Sequence, residues 1–210
     1  MKNTTYIFLV CLFCNIFVTG NLIFGKFTSL KILNLSLDVS VGILLFPITF
    51  LISDLVTEFY GKAKAFLMIN VSIIITLLTV VVIYIADSMN AASWSTVSNE
   101  TFRVVFGSFG PAVFSSLLAN YISQNVDIII YDYIKHLTKG RHLWLRNNLS
   151  TFIAQIIDTF CVATIMLIFG KIPNAKYFAI AFSSLQFKVI ATILSTPFCY
   201  IGYKIIKRMK

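Results

Sequence analysis

The run VSIIITLLTVVVIYIA, residues 71–86, places sixteen uncharged, mostly apolar residues in succession, and few folds can accommodate that. In a bilayer core no water satisfies the backbone, so a crossing segment is either a helix or a strand of a closed barrel. A barrel strand alternates apolar and polar residues over about ten positions, and this run does not alternate. It is therefore read as a transmembrane helix, which needs about 20 predominantly apolar residues. Six windows of that kind occur, near 4–24, 39–60, 65–86, 108–132, 148–169 and 178–203. Only 12% of residues are charged and 58% are hydrophobic, with a mean hydropathy of +0.88, whereas soluble domains carry about a quarter charged residues. The expected fold class is an all-α integral membrane protein, a six-transmembrane-helix bundle forming a single transmembrane domain over residues 1–210. The spans occupy most of the sequence and leave no segment for a soluble catalytic domain.

Charge orients the bundle. The net charge of +9 is divided among short segments between apolar runs, so it reads as a topology signal and not as a nucleic-acid stripe. With the N-terminus inside, eleven Lys and Arg residues fall on the cytoplasmic side, at positions 2, 62, 64, 135, 139, 141, 146, 204, 207, 208 and 210. Five fall outside, at positions 26, 31, 103, 171 and 176, and Lys188 lies within the sixth span. Short cytoplasmic loops carry the Lys/Arg excess, so both termini are expected in the cytoplasm. In LTKGRHLWLRNN, residues 137–148, Trp144 suits a membrane interface, and Asn147 or Asn148 is expected to cap the fifth helix. DSMNAASWSTVSNETF, residues 87–102, is the only sizeable polar connection and is expected outside. Cys11, Cys14, Cys161 and Cys199 all sit in apolar runs and read as packing residues. The uncharged N-terminal run is longer than a signal core of about 7 to 15 residues, so it reads as a retained helix.

The polar residues within the spans carry the functional signal, because a charge at the centre of a membrane helix costs roughly 2.5–3.5 kcal/mol and usually faces a bundle interior. In the second span the purely apolar part, Val41 to Ile52, is too short to cross the membrane, so Asp54 and Glu58 lie within it or at its inner edge. Their spacing of four stacks them on one helical face, and Gly42 and Pro47 predict a kink or break nearby. The alternative is an interfacial pair neutralised by Lys62 and Lys64. In the fourth span Gly110 and Pro111 mark a start, after which Ser116, Asn120, Gln124, Asp127 and Tyr131 recur at spacings of 4, 4, 3 and 4, one polar stripe. In the fifth, Asn148, Thr151, Gln155 and Asp158 recur at 3, 4 and 3. Interhelical hydrogen bonding is the alternative for both stripes, though a carboxylate is an expensive glue. Asn70 reads equally well as glue, and Lys188 either neutralises an acid or reaches for the outer surface.

Catalytic patterns are thin. His136 and His142 lie in the basic loop away from the acids, so neither a Ser-His-Asp arrangement nor a metal site is indicated. No phosphate-binding glycine motif is present, and nothing implies a cofactor. An intramembrane aspartic protease is the one enzymatic alternative two embedded aspartates raise.

Three stretches, FPITFLISDLVTEFYGKAKA (46–65), SLLANYISQNVDIIIYDYIK (116–135) and TKGRHLWLRNNLSTFIAQIIDT (138–159), resemble the queuosine precursor transporter family of bacterial inner membranes, within the wider vitamin uptake transporter group. The likeness runs from about Phe46 to Gly170 and rests on a D-x-x-T-E-x-Y-G motif and two Q-x-x-D motifs in order. It implies a fold like the six-helix substrate-binding subunits of energy-coupling factor importers, acting without their ATPase module. It also implies import of a 7-deazaguanine such as preQ0, preQ1 or queuine for tRNA modification, with no nucleic-acid partner. The residue chemistry is compatible, since a carboxylate accepts from the guanine N1–H and exocyclic amine. Asp158 or Glu58 is the expected acceptor, with Gln155 and Gln124 completing the hydrogen bonds, Asn120 lining the site and an aromatic ring stacking on the base. Asp54 and Asp127 would orient partners or neutralise Arg146, which is alternatively a plain cytoplasmic anchor. Two rival functions are import of another vitamin or nucleobase, and a non-transport scaffold subunit.

Overall fold

A computed structural model describes residues 2–24, 26–32, 35–106, 111–170 and 173–209. Helix α1 (Lys2–Leu22) leads into a hairpin of β1 (Phe27–Ile32) and β2 (Leu35–Ser40), antiparallel with Phe27 opposite Ser40. A 3₁₀ turn (Val41–Leu45) then runs directly into α2 (Phe46–Tyr60), followed by α3 (Lys62–Ser88), short α4 (Asn99–Phe106), α5 (Pro111–Leu137), α6 (Leu143–Ile168) and α7 (Tyr177–Met209). Among the described residues, five segments are long and apolar enough to cross a membrane: Asn3–Leu22, Val41–Tyr60, Lys62–Ser88, Leu143–Ile168 and Asn174–Arg208. Helix α5, at 27 residues, is long enough as well, but its polar stripe dilutes its hydropathy. Gly110 and the first residues expected for the fourth span lie outside the described residues, and α5 is described from Pro111.

The bundle closes around two contacts. Helices α5 and α6 form the most extensive pair, with α7 against α6, while α1, α2 and α3 pack on one another and α2 bridges to α5 and α7. A buried apolar cluster joins Phe13 and Phe17 of α1, Ile52 and Val56 of α2, Met68 and Ile69 of α3, and Ile128 of α5. The far face of α3, with Leu78, Val82 and Ile85 exposed, is apolar in the manner of a lipid-facing surface.

The predicted break in the second span occurs at the junction of the 3₁₀ turn and α2, with Pro47 in the first turn of α2. Gly42 is required there by close approach: a Cβ on it would lie 2.2 Å from the Gly20 carbonyl oxygen of α1. Ser40 caps the turn, its Oγ accepting from Gly42 N–H at 3.2 Å and donating to the Phe24 carbonyl. The hairpin, unforeseen in the sequence, is seated by buried Val39, which clusters with Ile43 and Phe187 of α7. At the other end of α2, Gly61 at φ +84° turns the chain into α3 within one residue, a conformation that favours glycine.

Candidate functional site

The polar stripes of α5 and α6 face each other, since these helices run antiparallel as neighbours, and α2 and α7 close the sides. The result is one buried polar seam in three tiers, which on α6 runs from Arg146 to Thr159.

At the end bearing the basic loop, the Arg146 side chain is 2% exposed. Its Nη2 lies 2.9 Å from Glu58 Oε1, its Nε donates to Tyr131 Oη at 3.2 Å, and its Nη1 donates to the carbonyls of Gly140 and Arg141 at 3.0 and 3.1 Å. Glu58 Oε2 also takes the Tyr131 hydroxyl at 3.2 Å and Lys135 Nζ at 3.3 Å. The planar guanidinium suits this task because it donates in several fixed directions at once. It ties α2, α5, α6 and the α5–α6 turn together.

In the middle tier Asp54 is 1% exposed and Asp127 is fully buried, and their carboxyls are neighbours. Ser53 Oγ donates to Asp127 Oδ2 at a long 3.5 Å, and apart from the Asp127 carboxyl neither oxygen of Asp54 has a hydrogen-bond partner among the described residues. Asp127 Oδ1, Asn120 Oδ1, Gln124 Oε1, Asn147 Oδ1 and Gln155 Oε1 are likewise unpartnered. Apart from the Ser150 hydroxyl, every unpartnered buried side-chain atom among the described residues is a carboxylate or amide oxygen. Each such group costs about 1–3 kcal/mol, and native interiors hold few of them. The seam has a surplus of acceptors and wants donors.

In the third tier, towards the hairpin, Asp158 of α6 forms a buried ion pair with Lys188 of α7. Lys188 Nζ also donates to Thr159 Oγ1 at 3.1 Å, and Ser123 Oγ donates to Asp158 Oδ1 at 3.4 Å. Gln155 Nε2 donates to Thr192 Oγ1 at 2.6 Å, and Gln124 Nε2 to Thr49 Oγ1 at 3.3 Å. Beside the ion pair is a cavity of about 70 Å³ whose walls include Asp158, Lys188, Ser116, Phe24 and Phe46. The cleft of about 640 Å³ between Phe8, Leu12, Leu55 and Ile206 is lined almost wholly by apolar side chains, and a polar cleft of about 200 Å³ lies apart from the stripes, between Asp87, Ser95, Ser98 and Asn99. Chemistry, and not volume, makes the seam the candidate site.

All eight residues singled out from the sequence (Asp54, Glu58, Asn120, Gln124, Asp127, Arg146, Gln155 and Asp158) lie along this seam. One expectation is corrected and two open alternatives are decided. Glu58 is neutralised by Arg146 and Lys135, whereas Lys62 pairs with Asp132 at 3.3 Å and Lys64 sits over the Tyr6 ring, because α5 and α6 press against that face of α2. Helix α6 starts at Leu143 after His142, so Asn147 and Asn148 lie inside it and cap nothing; Asn148 instead donates to the Trp144 carbonyl and accepts from Thr196 of α7. Asn70, one candidate for interhelical glue, is exposed on α3. Of the two readings of Lys188, the structure realises neutralisation of an acid. Lys135 and Thr192 were missed. Thr192 is four residues after Lys188, a helical spacing that could have flagged it, while Lys135 looked like one more cytoplasmic charge.

A multi-pass bundle with a buried seam of carboxylates, amides and hydroxyls is built as a membrane transporter, since embedded polar groups mark substrate paths. The chain belongs to the family described as "Putative vitamin uptake transporter", which residues 40–202 match. It is 29% identical, over 171 residues, to the "Probable queuosine precursor transporter" of Bacillus subtilis (strain 168), covering 81% of this chain and 74% of that protein. It is a transporter and not an enzyme. No solved structure matches it.

Proposed function

We propose that the chain imports queuosine precursors, 7-deazaguanines such as preQ0, preQ1 or queuine, across the bacterial inner (plasma) membrane for salvage into tRNA. Helix α5 serves as the fourth span and brings the number to six, both termini lie in the cytoplasm, the whole chain works as one transmembrane domain, and no ATPase module is needed. The observation that carries this reading is the surplus of buried acceptor oxygens, because a 7-deazaguanine offers several N–H donors on one edge. Asp158 accepts from N1–H and the exocyclic amine, with Gln155, Gln124 and Asn120 lining the path. Glu58, already holding three partners, is assigned with Arg146 to shaping the cytoplasmic end. The free oxygens of Asp54 and Asp127 suit the cationic aminomethyl group of preQ1. The cavity of about 70 Å³ is far below the roughly 300–1,000 Å³ of ligand clefts, so admitting a base requires the helices to part, as alternating access demands.

Complementation tests the proposal. The chain is expressed in a strain that can neither make nor import these precursors, each is supplied in turn, and queuosine in tRNA is measured. Recovery with at least one 7-deazaguanine is expected; no recovery with any, despite confirmed insertion, refutes it. Competing guanine and riboflavin in the same strain separates a 7-deazaguanine importer from one for another base or vitamin.

A further inference from the structure

We infer that Lys188 is a specificity-determining residue, donating to the 6-oxo group of the transported base while Asp158 accepts from its neighbouring N–H groups, so that the pair selects a 6-oxo-2-amino heterocycle over a 6-amino one. The inference rests on the base-import reading and assigns a role to a residue that reading does not use.

Lys188 is 5% exposed, within a long apolar helix. A buried ion pair is seldom a net source of stability compared with apolar residues of similar volume, so packing alone does not account for it. The arrangement has unspent capacity. The ammonium carries three N–H donors, and its described acceptors are Asp158 Oδ2 and Thr159 Oγ1, which leaves one donor. The carboxylate can accept about four hydrogen bonds, and apart from Lys188 its described donor is Ser123, at 3.4 Å. Both side chains border the same cavity. A donor and an acceptor are thus held side by side, as the edge of a guanine-like base requires: its O6 accepts, and the adjacent N1–H and 2-amino groups donate. An adenine-like edge reverses the pattern, setting an amine against the ammonium and a ring-nitrogen acceptor against the carboxylate. Phe46 completes the recognition element. Its ring centre is 5.4 Å from Lys188 Nζ, and it borders the cavity along with Phe24, giving an apolar face on which a base can stack.

The test measures binding of 7-deazaguanine and 7-deazaadenine to purified full-length protein in detergent, by ligand-induced shift in Tm and by competition. Wild type is expected to prefer 7-deazaguanine, and Lys188→Arg, which keeps a donor and a charge, to retain a preference. Lys188→Met removes the donor and should lower 7-deazaguanine affinity by roughly 10- to 100-fold, the scale of a charged hydrogen bond, without lowering that for 7-deazaadenine. If the lone Asp158 prevents folding, Lys188→Met with Asp158→Asn removes both charges and should likewise lose the preference. A folded variant without Lys188 that keeps the full preference, or that loses both bases in equal proportion, overturns the inference. Wild type binding neither base defeats the import reading, and this inference with it.

Discussion

Arg146 shows what a single residue holds in this fold. Its removal leaves Glu58 short of its closest cation and two turn carbonyls, those of Gly140 and Arg141, without their donor. Breaking one side of a buried ion pair costs about 3–5 kcal/mol. Arg146→Ala should therefore lose stability on that scale in detergent unfolding. Arg146→Lys should recover only part, because an ammonium cannot point at all of these acceptors together. An Arg146→Ala protein as stable as wild type would reduce the residue to a topology signal. Asp54 predicts the opposite dissociation. The hydrogen-bonding neighbour described for Asp54 is the Asp127 carboxyl, so Asp54→Asn, which offers that carboxyl an N–H donor, should leave the melting temperature equal or higher, yet cut uptake of cationic preQ1 more than of neutral preQ0; equal uptake of both would remove Asp54 from the site. The sequence made Asp54 and Glu58 visible as a pair on one helical face. It could not say which acid is free, because the neutralising partners arrive from other helices.

At the level of elements, glycine separates two kinds of close approach. The Cβ of Gly42→Ala would lie 2.2 Å from the Gly20 carbonyl oxygen and 3.1 Å from Phe24 Cα, backbone that cannot yield without moving α1, whereas that of Gly202→Ala would meet Leu55 Cδ1 at 2.8 Å, the end of a flexible side chain. Overpacking costs typically about 1–3 kcal/mol, so thermal melts should show a clear loss for Gly42→Ala and a smaller one for Gly202→Ala; the reverse order would contradict the seating of the 3₁₀ turn on α1. The long helices were legible because each carries its own apolar run, and α5 was legible despite its polarity because that polarity repeats at helical spacing. The hairpin was not, since its two short strands gain their place from Val39 packing against α7, a contact remote in sequence. The start of α6 was misplaced for a related reason: Arg146 and Asn147 look like loop residues until α2 and α5 bury them.

For the molecule as a whole, the polar seam and the charge distribution imply a direction. The groups gathered around Glu58, Arg146 and Lys135 share an end with Lys62 and the α5–α6 turn, the end that the proposed topology puts in the cytoplasm. Cysteine labelling in intact cells should therefore modify Ser95→Cys with an impermeant maleimide and spare Lys139→Cys until the membrane is permeabilised; the reverse would invert the bundle. The central claim, that the seam conducts a donor-rich 7-deazaguanine, is best met by counterflow, which needs no knowledge of the driving force. Vesicles reconstituted with the purified chain and preloaded with unlabelled preQ1 should take up external labelled preQ1 in a saturable manner, and excess 7-deazaguanine should block it. Exchange no greater than in protein-free vesicles, for preQ1, preQ0 and queuine alike, would contradict it.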